Sequence, residues 1–377
     1  MMVETAFFDG FMSALLFIAF IHGIIIASLL FFNKRLHATS NSFLALSLSG
    51  ISMQLLYELI SYTNPYWNVL KILEPLPIFL STTVTIGLYF FVKYLINPQY
   101  QLKPWEKWWL FPIILQALLC LLYIPFEYIH DIKVFAIALE FLPFAEEFVG
   151  LAVSVFLIPL ALHHIKHYQE FITSNYSTID QKSLLWLLNF LRIIFVLVFL
   201  WLLSYVIWAL GYTYETIYTY VTLGMVVVLF WIGYFVIQKY HLFEIVTFTE
   251  HKTSKGKSKK KLSTKTNTYY TELLKLFEEK HLYENIDLTL NELAQHLQLS
   301  SGYLSQIINE KEQKSFFEFV NFYRVEAVKR KLLDQNYAHY DIFSIALESG
   351  FKSKSTFNAV FKKMTQQTPS AYKKKYS

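Results

Sequence analysis

Two rhythms of apolar residues divide this chain. Up to about residue 240 they come in long runs with few interruptions; beyond it they recur three and four positions apart among polar residues. The runs cover about Phe11–Phe32, Phe43–Ile60, Pro77–Ile96, Trp108–Ile124, Val134–Leu162, Leu184–Leu210 and Tyr218–Ile237. Each is near the roughly 20 residues that a helix needs to cross a bilayer. Seven spanning helices are expected, the third entered after a Pro75-Leu-Pro77 break.

The second rhythm predicts short amphipathic helices. Leu273, Leu274, Leu276 and Phe277 mark one between Tyr269 and Tyr283, and Leu290, Leu293, Ala294 and Leu297 line one face of the next. Ser300 is placed to cap a following helix whose inner side is Leu304, Ile307 and Ile308. A long helix is expected over about Ser315–Leu333, with Phe316, Phe319, Val320, Tyr323, Ala327, Val328 and Leu332 as its apolar stripe. The pattern then repeats. Asp341 caps a helix carrying Ile342, Ile345 and Ala346, Gly350 supplies a left-handed turn, and Ser353 caps a helix facing inward through Phe357, Val360 and Phe361. Helix, tight turn, cap and second helix, twice over, is the pattern of a tandem helix-turn-helix.

The motifs of the second repeat also carry a family resemblance. Ile345-Ala-Leu-Glu-Ser-Gly-Phe351, Ser355-Thr-Phe357, Phe361-Lys-Lys363 and Thr368-Pro-Ser-Ala-Tyr372 resemble, in order and spacing, the C-terminal DNA-binding domain of the AraC/XylS transcription regulators. The resemblance covers about the last quarter of the chain. It implies two helical subdomains joined by a rigid linker helix, with two recognition helices entering successive major grooves.

Composition and charge sharpen the division. Hydrophobic residues make up 55% and charged residues 16%, too apolar for an ordinary soluble regulator. Residues 1–240 hold 11 Lys/Arg and 13 Asp/Glu, whereas 241–377 hold 22 and 15, so the tail is basic by seven. A basic tail suits a polyanion. The first, third and fifth loops carry Lys34, Arg35, Lys103, Lys107, Lys166 and Lys182, against Lys71 and Lys133 in the others. That bias predicts a multi-pass protein of the inner (cytoplasmic) membrane, N-terminus outside and C-terminus in the cytoplasm. The acidic flank before Phe11 reads as the outer end of an uncleaved span rather than a signal peptide. The expected organisation is all-α: a seven-helix transmembrane domain over 1–240, a basic linker over 241–268 and a DNA-binding domain over 269–377. From His251 to Lys265 the linker holds seven lysines. It reads as a solvated tether, as a segment drawn to anionic lipid or DNA phosphate, or as a cleavage site that releases the tail.

Base reading is expected from Ser305 and Gln306 in the first recognition helix and from Lys354, Ser355, Thr356 and Asn358 in the second. Gly302 and Ala359 stand at groove-facing positions without a hydrogen-bonding side chain, which gives weight to shape readout. Lys352, Lys362, Lys363, Lys373 and Lys374 are phosphate candidates, setting affinity without sequence information. In the apolar half Glu140, Glu146 and Glu147 lie close to Pro143, and Arg192 lies in the next run. Ionisable groups there are costly unless paired or hydrated. They form either a structural ion pair or a ligand pocket in which Arg192 answers a glutamate. The single Cys120 gives no disulfide, and His163-His164-x-x-His167 reads as solvated rather than metal-binding. No cofactor, metal or enzymatic motif is expected. The partners expected are double-stranded DNA and membrane lipid, then a small or lipophilic ligand and a second copy of the chain. The competing reading is a transporter or receptor whose tail binds protein.

Overall fold

The computed structural model describes residues 2–33, 38–63, 81–128, 136–180, 183–213, 215–238 and 265–376. Side chains of 2–9, 61–63, 120–128, 136–146, 215–216 and 265 fall outside that description. Glu140 and Glu146 are therefore described only by their place in a helix, and the lysine run at 251–264 lies outside the described residues altogether. The described residues are helical and contain no β-strand, only an isolated bridge between Tyr176 and Thr289. They separate into two compact units, 1–166 with 185–250, and 167–184 with 251–377.

Helices in the first unit occupy all seven expected places: α1 Met2–Phe32, α2 Thr39–Thr63, α3 Ser81–Ile96, α4 Leu110–Tyr128, α5 Ala136–Asn175, α6 Leu185–Ala209 and α7 Glu215–Gln238. Among the described residues five are long and apolar enough to cross a membrane: Gly10–Phe32, Thr39–Ile60, Glu147–Asn175, Leu185–Ala209 and Ile217–Gln238. The helix at Ser81–Ile96 has 16 residues, short of that length. α1 packs on α2 and α7, α2 on α3, and α6 on α7. The α2–α3 approach is close: a Cβ on Gly87 would fall 2.8 Å from the Phe43 carbonyl, so only glycine fits there. Leu16, Leu30, Leu48, Leu55, Phe91, Leu157 and Phe190 are fully enclosed. Phe17, Ile25, Phe32, Phe156, Phe199 and Val227 point outward and are largely exposed.

α5 continues to Asn175, past the expected end of its run at Leu162. Hydropathy falls there, but Ile165, Tyr168 and Ile172 keep the helical spacing and are buried. A rule based on unbroken apolarity misses such a turn from apolar to amphipathic helix.

The second unit contains α8 Lys265–Glu278, α9 Leu290–His296, α10 Ser301–Glu312, α11 Phe316–Leu333, α12 Ile342–Glu348, α13 Lys354–Thr365 and α14 Pro369–Tyr376. Two apolar cores form. One gathers Leu273, Phe277, Leu293, Leu304, Ile308, Phe316 and Phe319; the other gathers Val328, Ile345, Phe351, Phe357 and Phe361. Burying each of these aliphatic or aromatic side chains stabilises the unit by about 2 kcal/mol. α11 supplies residues to both cores, Val320 and Ala327 to the first, Val325, Val328 and Leu332 to the second. It is therefore the shared spine of the two subdomains.

Candidate nucleic-acid interface

The three helix starts for which a cap was expected are made by that cap. The Ser300 hydroxyl accepts from the Tyr303 amide at 3.3 Å, and Asp341 accepts from the Phe343 and Ser344 amides at 2.8 and 3.1 Å. Ser353 accepts from the Thr356 amide at 3.2 Å. Ser315 and Glu318 form a reciprocal capping box at the head of α11. Gly350 has φ +94°, and a Cβ there would lie 2.5 Å from the Tyr283 carbonyl. Turn geometry and close approach both require glycine.

These starts fix which side chains α10 and α13 present outward. On α13 Lys354, Ser355, Asn358 and Lys362 are exposed, opposite the buried Phe357, Val360 and Phe361. Thr356 is half-buried, because its hydroxyl donates to the Asp180 carboxylate. On α10 Ser305 and Gln306 are half-buried, and the Gln306 amide donates to Glu310 at 2.8 Å. Gly302 is exposed, with nothing within 4 Å of where a Cβ would stand.

Two of the phosphate candidates are engaged in ion pairs. Lys352 lies 3.4 Å from Asp287, and Lys363 lies 3.0 Å from Glu318. Pairs this exposed contribute about 0–1 kcal/mol, so a phosphate can displace the carboxylate at little cost. The Lys363 ammonium holds the Glu318 carboxyl below the usual carboxylate range, against burial, which pushes it up. Lys362 and Lys374 are exposed, and Lys373 is half-buried.

Arg324 is a charged residue in the middle of α11, where charge would place it at the surface. It is in fact 1% exposed and forms the polar centre of the unit. Its guanidinium donates to the Tyr283 carbonyl at 2.8 Å, the Asn285 carbonyl at 2.8 Å, the Ser177 carbonyl at 3.1 Å and the Ser177 hydroxyl at 3.1 Å. Burial lowers its pKa to about 10, partly offset by Asp287, so it stays charged at neutral pH. The one available signal was spacing, since Arg324 stands four residues beyond Val320 and four before Val328, within the apolar stripe. Ser177, Thr178 and Asp180 carried no signal at all, being polar residues in a connection between two apolar runs.

In the first unit Arg192 is exposed and donates to Asn189 at 3.2 Å, one turn back on its own helix. The expected pairing of Arg192 with a glutamate is not made with Glu147, which accepts from the Trp201 indole at 3.3 Å. Arg192 falls on the face of α6 opposite Leu187, Leu191 and Ile194, and points away from the bundle. Glu147 instead lines a partly open cavity with Gln54, Thr85, Ser154, Trp201 and Tyr218. Beside it the Tyr218 hydroxyl donates to Glu58 at 2.7 Å, and Gln54 donates to Glu58 at 2.9 Å.

The family described as "Helix-turn-helix domain" matches residues 293–375, which run from α9 to α14 and include both capped turns. Residues 293–375 form an AraC-type helix-turn-helix domain. An uncharacterised HTH-type transcriptional regulator of Staphylococcus aureus (strain COL) is 38% identical over 95 residues, 25% of this chain and 12% of that one. The melibiose operon regulatory protein of Escherichia coli (strain K12) is 32% identical over 93 residues, 24% of this chain and 30% of that one. A solved Listeria innocua protein of unknown function is 25% identical, covering 29% of this chain and 97% of that one. Its TM-score against this chain is 0.26. The chain spans about an eighth of the staphylococcal relative's length. The family match lies wholly within the second unit.

Proposed function

We propose that this chain is a membrane-embedded transcription regulator, in which the seven-helix unit receives a signal and controls DNA reading by the AraC-type domain. The observation that carries the reading is the union, on one chain, of a capped tandem helix-turn-helix with outwardly apolar helices. Phe17, Ile25, Phe156, Phe199 and Val227 face outward, an arrangement costly in water and natural in lipid. The bias of Lys and Arg between alternate loops supports an external N-terminus and a cytoplasmic tail in the inner membrane.

Within this reading Ser305, Gln306, Lys354, Ser355, Thr356 and Asn358 read bases, and Lys352, Lys362, Lys363, Lys373 and Lys374 hold phosphates. The signal is a small, largely apolar molecule. The cavity beside Glu147 supports this, with its apolar walls and a few convergent polar groups. Lipid and a second copy of the chain are the remaining partners. Pairing two copies would give the half-site symmetry common among DNA-binding proteins.

The test is binding of the full-length chain, reconstituted in nanodiscs, to duplex DNA across a salt series. The expected result is binding at low salt whose logarithm falls linearly with the logarithm of salt concentration. Absence of binding at low salt overturns the reading and leaves a receptor or transporter whose tail binds protein.

A further inference from the structure

Residues 167–184 lie between α5 and α6 in sequence, yet they fold as part of the second unit. Ser177 is their anchor. It is 1% exposed; its amide donates to the Leu288 carbonyl at 3.2 Å and its hydroxyl to the same carbonyl at 2.7 Å. Its carbonyl accepts from Arg324 at 3.1 Å and from Asn321 at 3.3 Å. Thr178 donates to the Ile286 carbonyl at 2.6 Å. Three residues beyond the anchor, the Asp180 carboxylate rests on the first turn of α13, accepting from Thr356 with the cap residue Ser353 and Lys352 beside it.

That turn is where a recognition helix meets DNA, since such helices present their N-terminal residues to base edges and flanking phosphates. A carboxylate seated there fills the space a phosphate or base edge needs, and repels the backbone charge. The two ends of the segment are held unequally. Every polar group of Ser177 is satisfied, whereas Asp180 Oδ2 is buried without a partner among the described residues. Burial pushes the Asp180 carboxyl up, with the Ser353 hydroxyl and Lys352 opposing. The Asp180 end is the part able to let go.

We propose that residues 176–180 are an intramolecular latch: Ser177 seats the segment on Arg324, and Asp180 closes the N-terminal end of α13, so that the second recognition helix reads DNA only when Asp180 leaves. The proposal rests on the DNA-binding reading above. It also gives the membrane half a direct handle. α5 runs unbroken to Asn175, two residues before the anchor, so a displacement of α5 is passed by the covalent chain to the latch. No separate messenger is required.

The experiment uses full-length protein in nanodiscs and a mixed-sequence duplex at low salt, read by fluorescence anisotropy. Asp180→Ala is expected to bind about ten-fold more tightly than the unsubstituted chain, a coupling of ordinary size. A second protein carries Asp180→Cys and Thr356→Cys, with Cys120→Ser to remove the one native thiol. Oxidation is expected to cross-link it and abolish binding, and reduction to restore binding in the same sample. The latch is overturned if the two cysteines do not cross-link, or if the cross-linked form binds DNA as well as the reduced form. It is overturned equally if Asp180→Ala binds no more tightly. In all three cases binding by the unsubstituted chain leaves the DNA-binding reading standing. If no protein binds in either redox state, that reading fails and the latch fails with it.

Discussion

Arg324 does at the scale of one side chain what no apolar residue could do at its position. The carbonyls of Tyr283, Asn285 and Ser177 converge on it, and all three lose a donor if it is removed. Each buried acceptor left unsatisfied costs about 1–3 kcal/mol. Arg324→Met is expected to lower the stability of the second unit by about 1–3 kcal/mol, measured by chemical denaturation, because the Ser177 carbonyl keeps Asn321 and the Asn285 carbonyl keeps the Leu288 amide. Arg324→Lys should recover little of it, because one ammonium cannot span acceptors that a planar fork reaches. Glu318 gives a pH test. Lys363 depresses its folded-state pKa, so its contribution is present above the unfolded value and is lost as pH falls through the folded one. The second unit should therefore soften on acidification below about pH 4, and Glu318→Gln should flatten that part of the profile of melting temperature against pH. Caps were legible at this scale because a cap is local: Ser300, Ser353 and Asp341 bond amides two or three residues away. Arg324–Ser177 and Thr356–Asp180 were not, because their partners stand 147 and 176 residues apart and periodicity carries no information across such a gap.

Whole elements were more readable than their ends. The seven apolar runs and the tandem helices follow from hydrophobic spacing, and α11 begins within one residue of the start expected for it at about Ser315. α5 was underestimated because its last turns change from apolar all round to amphipathic, and those turns lead into the segment that docks on the second unit. Gly350 is the element-scale weak point. Gly350→Ala puts a methyl against the Tyr283 carbonyl in a left-handed conformation, and a loss of about 1–3 kcal/mol in thermal unfolding is expected. On the recognition helices, base and phosphate contacts should separate experimentally. Lys362→Ala and Lys374→Ala are each expected to reduce the salt slope of DNA binding by about one, with sequence preference unchanged. Asn358→Ala should leave the slope alone and relax preference at one base pair by about 1–3 kcal/mol.

At the scale of the molecule the two halves place their apolar residues differently. The second unit hides its phenylalanines in two cores, whereas the first places phenylalanine and valine outward around a cavity edged with glutamine, threonine, serine and glutamate. Composition alone distinguishes the two halves, but it leaves residues 167–184 with the first, whereas they fold in the second unit. The polar cavity was only half visible: Glu147 stood out as an ionisable residue in an apolar run, while Gln54, Thr85 and Ser154 became neighbours only when α2, α3 and α5 packed together. The central claim is that a single polypeptide lies in the membrane and occupies specific DNA. Its most direct test is genome-wide DNA occupancy of the full-length protein tagged at its C-terminus, with membrane fractionation of the same cells. The account predicts discrete peaks while all tagged protein remains full-length in the membrane fraction. Absence of peaks across growth conditions, or peaks arising only from a soluble fragment, would contradict it.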